Sequence, residues 1–373
     1  MRLLPWLCLL VAVLGTGVLE AADEMPFYIG TYTSDGGSRG IYRASLDLQT
    51  GKLSEPALAA EVEGPSYLAL AESGRILYAV HEPGGKVSAF TVQENGALDR
   101  INTESTGGAG PCHLALDRSG KCLLVANYSG GSLACLPLAE DGSLRPASDV
   151  FENSGSGPNQ RRQEKPHLHC VTTDAANRFV YACDLGTDEI LVFRLDAKKG
   201  TLTSAEPRSA KVPAGGGPRH LVLDAGGEHL FVNNELTSSV TAFDRDPETG
   251  ALTATQTLST LPGGQPVPGN TTAAIMLHPT GKWLYVSNRG HDSIAVFEIG
   301  DDGALDLVQI AAAGVSVPRG IGIDPTGKWL VAGGQKSNDL TALAVDPQTG
   351  KLTPGPNKIS VGKPVCVVFA GSK

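Results

Sequence analysis

Aromatic residues make up only 5% of this 373-residue chain, and acids outnumber bases: 30 Lys and Arg face 39 Asp and Glu, for a net charge of −9. There is no basic stripe and no interleaving of basic with aromatic residues, so nucleic acid is excluded as a partner. The same charge works against long-range attraction of an anion, so an anionic substrate would need a local positive pocket. No CxxC occurs, and no Cys/His cluster has metal-ligand spacing. No metal and no cofactor is therefore expected. No convincing amphipathic helix is present beyond the N-terminus, and no Pro/Gly/Ser linker divides the chain into two halves.

What is abundant is Gly (46) and Pro (24), the residues of tight turns between short strands. The one long apolar run opens the chain. Arg2 is followed by an apolar stretch from Leu3 to Leu14, and small residues at Ala21 and Ala22 offer a cleavage site. Residues 1–22 read as a signal peptide and 23–373 as the mature domain. The run is too short for a comfortable span. The expected product is exported, periplasmic or extracellular, monomeric, and without stable membrane association after cleavage. Beyond Cys8 lie Cys112, Cys122, Cys135, Cys170, Cys183 and Cys366. Most sit inside apolar strand patterns and read as buried thiols, with at least one disulfide as the alternative.

One phrase recurs seven times: a strand-like run, a Gly-containing turn, a second run, a polar loop, and a third run leading to Gly-x-Leu. It starts at Pro65, Pro111, Pro166, Pro218, Thr272, Pro318 and Pro364, at spacings of 46 to 55 residues. A period near 50 with about four strands per unit is the signature of a β-propeller. In the unit from Thr272, strands are expected at Ala274–Leu277, Trp283–Ser287 and Ser293–Glu298. The mature chain opens with Phe27–Tyr32, Gly40–Asp47 and Leu53–Val62 but lacks a first strand, and the C-terminus supplies one at Val365–Phe369. The fold class is therefore all-β, a seven-bladed β-propeller, with the C-terminal strand completing the first blade.

Calling the strands of each blade A to D from the axis outward, the start of A and the end of B share one face. That face collects His113, His167, His169, Arg219, His220 and Arg319 from the A starts. From the B ends it collects His81, Glu82, Asn127, Tyr128, Asp184, Asn233, Asn234, Glu235, Asn288 and Arg289. The opposite face carries Gly-containing A–B turns such as Thr280-Gly281. The HPTGK and DPTGK strings are such turns, without the spacing or following helix of a phosphate loop. His220, adjacent to Arg219 on a strand, should point the opposite way.

The ordered strings KPHLHCVTTD, GPRHLVLDAGGEHLFVNNELTSSV and YVSNRGHDSIAVF, with FYIGTYT and GPCHLALDRSGKCLLVANYSGGS, resemble the seven-bladed lactonase family. That family contains bacterial 6-phosphogluconolactonases and the fungal carboxy-muconate cyclase. The resemblance covers nearly all of the mature chain. It implies a catalytic set of His169, Arg219, Glu235 and Arg289, and a lactone substrate, with or without a phosphate. His167, His113, Asn127, Tyr128, His220 and Asn234 are expected substrate-binding groups, with His167 also a rival to His169. On this reading an arginine would stabilise the carbonyl oxygen, while Glu235 or His169 would move the proton. No Ser-His-Asp order points to an acyl-enzyme. A non-catalytic exported propeller that binds a small anion or a protein, and a muconate-type cycloisomerase, stay open as alternatives.

Overall fold

The computed structural model describes residues 24–34 and 37–371, so the expected signal peptide lies outside the described residues. The strands β1–β28, numbered in chain order, form seven four-stranded antiparallel sheets around one axis. The expected seven-bladed propeller is what the chain forms. No helix among the described residues is long and apolar enough to cross a membrane.

Closure is made by β1 (Glu24–Thr31) and β28 (Pro364–Phe369). They pair antiparallel with Phe27 opposite Phe369 and Gly30 opposite Cys366. Several expected boundaries shift, most by one to three residues. The strand read at Leu53–Val62 is shortened to β3 (Ala57–Glu61). Pro56 precedes it, and Leu53 makes only an isolated bridge to Leu46. In blade 6, β20 (Thr271–Leu277) starts three residues before the expected Ala274.

The core lies between neighbouring blades, because each sheet buries both faces. Phe231 and Val240 of blade 5 pack with Ile275, Leu284 and Phe297 of blade 6. All six described cysteines are buried free thiols, as the apolar context of most of them implies.

One polar clasp ties two blades together far from the channel mouth. Arg245 donates to the Asp174 carboxylate at 2.7 Å, the Tyr181 hydroxyl at 2.6 Å and the Gly227 carbonyl at 2.8 Å. Both charges are buried, so removing one strands the other. Arg245→Met is expected to cost about 3–5 kcal/mol in urea unfolding. A loss below about 1 kcal/mol would contradict this reading.

Candidate active site

Two repeated backbone positions build the mouth of the channel. The first is the residue just after strand B. Glu235 follows β17 (His229–Asn234), Tyr128 follows β9 (Cys122–Asn127) and Glu82 follows β5 (Ile76–His81). Their backbone N–H groups donate to the carbonyls of Gly217 (2.8 Å), Gly110 (2.8 Å) and Gly64 (3.1 Å). Gly217 holds φ at 64°, and a Cβ there would meet the Leu236 side chain at 2.8 Å. That left-handed turn is glycine's because other side chains are strained there.

The second position is a β-bulge at the start of strand A. In β16 (Pro218–Leu223), Pro218 faces Asn234 and His220 faces Asn233, which leaves Arg219 unpaired. The same skip leaves Cys112 in β8 (Pro111–Leu116), His169 in β12 (Leu168–Thr173) and Arg319 in β24 (Pro318–Ile323). A bulge re-aims a side chain and bends its strand. These four bulge residues border the mouth or the small pocket beneath it.

Together these positions enclose a hollow of about 340 Å³, lined by Glu82, Cys112, Tyr128, Arg162, His169, Glu235, Thr271, Arg289 and Arg319. Its volume suits a single small sugar-derived molecule. Glu235 is the hub. Its Oε1 accepts from Arg162 at 2.6 Å, and its Oε2 accepts from Arg219 at 3.0 Å and lies 3.1 Å from Arg289. Burial alone would raise its carboxyl, but the Arg289, Arg219 and Arg162 guanidinium groups hold it well below the usual carboxylate range. Burial, and then Arg219, keep the His169 imidazole well below its ordinary value and hence neutral. Arg319 lies over the Tyr32 ring at 5.3 Å and forms no ion pair among the described residues. Four arginines thus meet two carboxylates, the local positive pocket that the acidic chain requires for an anion.

The depressed Glu235 carboxyl has a consequence for stability. Its contribution is fully present above the unfolded value of about 4.5 and is lost as pH falls below it. Melting curves from pH 7 to pH 3 should therefore show wild type and Glu235→Gln converging below about pH 4.5. A stability gap that stays constant to pH 3 would contradict the assignment.

Several expectations are relocated. Asn127 and Asn234 were expected to touch substrate, but they turn away into the B–C turns. The Asn127 amide donates to Ser132 at 3.1 Å, and the Asn234 amide to Ser239 at 2.9 Å. Asn288 does the same with Ser293 at 3.2 Å, so the Asn-x4-Ser pair is a repeated brace. His220 does not point away from Arg219: Arg219 Nη1 donates to His220 Nε2 at 3.0 Å, because the bulge cancels strand alternation. His113 lies deeper, its ring against Tyr67 at 4.0 Å and His220 at 5.1 Å. His167 stacks on Tyr128 at 4.4 Å, and its Nδ1 donates to the Tyr128 carbonyl at 3.1 Å. It holds Tyr128 in place while His169 takes the wall.

Arg162 was missed. It sits in the connection between β11 (Asp149–Glu152) and β12, pinned by its buried neighbour Gln163, whose amide donates to Leu185 at 2.9 Å and Asp188 at 2.6 Å. The signal for it was the spacing of 55 residues from Pro111 to Pro166, the widest in the chain. A larger hollow, about 730 Å³, lies between blades 1 and 2, lined by Arg39, Glu61, Lys86 and Arg100 among others. None of the bulge residues reaches it, and Arg39 is already paired with Glu61.

Comparison with known proteins shows the family. The chain is 37% identical over 346 residues to a 6-phosphogluconolactonase of Bacillus subtilis, covering 92% of this chain and 97% of that one. It is 32% identical to a 6-phosphogluconolactonase of Formosa agariphila, over 90% of this chain and 96% of the relative. The periplasmic gluconolactonase of Pseudomonas aeruginosa superposes with a TM-score of 0.87 at 30% identity, covering 94% of this chain and 100% of that one. The family described as lactonase, 7-bladed beta-propeller, matches residues 26–369, and the chain belongs to that family.

Proposed function

We propose that the protein hydrolyses a sugar-derived lactone of the 6-phosphogluconolactone or gluconolactone type. The observation that carries this is Arg289. Its Nε is buried without a hydrogen-bond partner among the described residues, on the wall of the mouth. Its Nη2 is fixed by the Thr272 carbonyl at 2.9 Å and by Glu235. When water adds to a lactone carbonyl, negative charge grows on the carbonyl oxygen. A fixed donor aimed at that oxygen is worth about 2.7–4 kcal/mol of barrier.

In this reading Glu235 holds the arginines rather than moving a proton, since three guanidinium groups occupy its two oxygens. Arg319, without a carboxylate partner, receives an anionic substituent where the substrate carries one. Export is part of the proposal, supported by the apolar run and small residues of positions 1–22. A mature N-terminus near Asp23 on protein from the cell envelope or medium agrees with it, and Met1 retained on a cytosolic protein contradicts it. An unphosphorylated substrate outside the cytosol is favoured by this same segment and by the likeness to the periplasmic gluconolactonase.

The test is a panel of aldonolactones with and without a 6-phosphate, followed by pH-stat after subtraction of spontaneous opening. Saturable acceleration of at least one sugar lactone is expected. Tight binding of sugar acids with no acceleration of any lactone would instead identify a binding propeller.

A further inference from the structure

The described residues contain five buried side-chain atoms without a hydrogen-bond partner, and three of them line the mouth or the small pocket beneath it: Ser66 Oγ, Glu82 Oε2 and Arg289 Nε. The other two are the carbonyl oxygens of the bracing Asn127 and Asn234. Buried polar atoms are nearly always paired, so orphans gathered at one place mark where a ligand's polar atoms belong. Arg289 Nε is accounted for by the carbonyl oxygen. Ser66 and Glu82 remain, and both line a second, deeper pocket.

That pocket lies directly under the mouth and shares Glu82, Cys112 and Arg319 with it; Tyr32, Arg219 and His220 also contribute to its walls. Its volume is about 10 Å³, the room that one water needs, and it offers the polar partners such a water requires. Glu82 is fixed from one side only. The Tyr32 hydroxyl faces Oε1 at 3.4 Å, which leaves Oε2 uncommitted. Glu235 contrasts with it in having both oxygens taken.

We infer that the deeper pocket holds the attacking water, bound by Ser66 Oγ and Glu82 Oε2, and that Glu82 is the general base of lactone opening. The inference rests on the lactonase reading above. Glu82 Oε2 takes one proton from the water as its oxygen bonds to the lactone carbonyl carbon. The carbonyl π pair moves onto its oxygen, against Arg289. Collapse of the tetrahedral intermediate breaks the ring C–O bond, and the proton on Glu82 passes to the departing alkoxide. The new carboxyl group then loses its own proton to solvent.

The rival acceptor is His169. Its Nδ1 faces the Cys112 sulfur at 3.7 Å, and its ring stands 5.3 Å from His220. Protonation would place an imidazolium beside Arg219, whose charge together with burial opposes it. Its place on the wall suits hydrogen bonding to the sugar rather than proton transfer.

The experiment compares kcat and KM of the wild type with those of Glu82→Gln, Ser66→Ala and His169→Ala on whichever lactone the panel identifies. Glu82→Gln is expected to lower kcat at least about 100-fold with KM within about threefold, the scale of a lost general base. Ser66→Ala is expected to lower kcat about 10-fold, one lost hydrogen bond to the water. A Glu82→Ala variant opens space for a small carboxylate, and added formate should restore part of its kcat. That rescue separates lost chemistry from misfolding. If Glu82→Gln keeps kcat within about fivefold while His169→Ala loses at least 100-fold, the imidazole is the base and the inference falls alone. If the wild type opens no lactone, the lactonase reading falls and takes this one with it.

Discussion

A chain ending at Lys363 is expected not to fold. The deletion removes β28, the A strand of blade 1, and leaves β1 with an unpaired edge at the channel. It also removes Val365, Cys366, Val367 and Phe369, all at least 92% buried, and strips the Phe27 ring of its partner at 5.3 Å. Burying one such apolar side chain contributes roughly 1.5–3 kcal/mol. Four of them approach the whole net stability of an ordinary domain, about 5–15 kcal/mol. The exposed edge adds a template for aggregation. Circular dichroism and gel filtration of the truncated protein should show aggregation or no cooperative transition. A soluble monomer melting within a few degrees of wild type would mean that β28 is dispensable. Phe369→Ala calibrates the effect and is expected to cost about 3–5 kcal/mol.

The second large effect concerns the chemistry. Arg289→Met is expected to lower kcat for lactone opening by about 10²–10³-fold, since the fixed donor to the carbonyl oxygen is lost. Arg289→Lys should recover little of this, because a lysine offers a mobile point charge rather than a planar fork held at Nη2 by Thr272 and Glu235. The interaction forms in the transition state, so KM should change much less than kcat. A large rise in KM with kcat preserved would make Arg289 a ground-state anchor instead.

The period of the repeat, the count of blades and the closure by β28 were legible because they depend on the spacing of apolar runs and turns. The face carrying the site was legible too, since strand order alone puts the starts of A beside the ends of B. What could not be read was the bulge. A one-residue insertion leaves no trace in a single short strand, yet it turns His169 into the mouth and Arg219 into the pocket beneath, and keeps His220 beside Arg219. Asn127 and Asn234 looked like site residues for the opposite reason. They stand one position before Tyr128 and Glu235, and only the recurring serine five residues later, at Ser132, Ser239 and Ser293, shows that the asparagine braces a turn. Arg162 lies outside the repeat, in a connection whose path no periodicity fixes. Glu82 was placed on the correct face, but its importance emerges only from the saturation of Glu235, a feature of three-dimensional charge pairing.

The most direct test of the account is a crystal structure of the protein with the aldonic acid product of its best lactone. The account expects the product carboxylate in the mouth, with one oxygen about 3 Å from Arg289 Nε and the other toward the Glu82–Ser66 pocket. The acid bound instead in the groove between blades 1 and 2, with the mouth unoccupied by it at saturating concentration, would contradict the account.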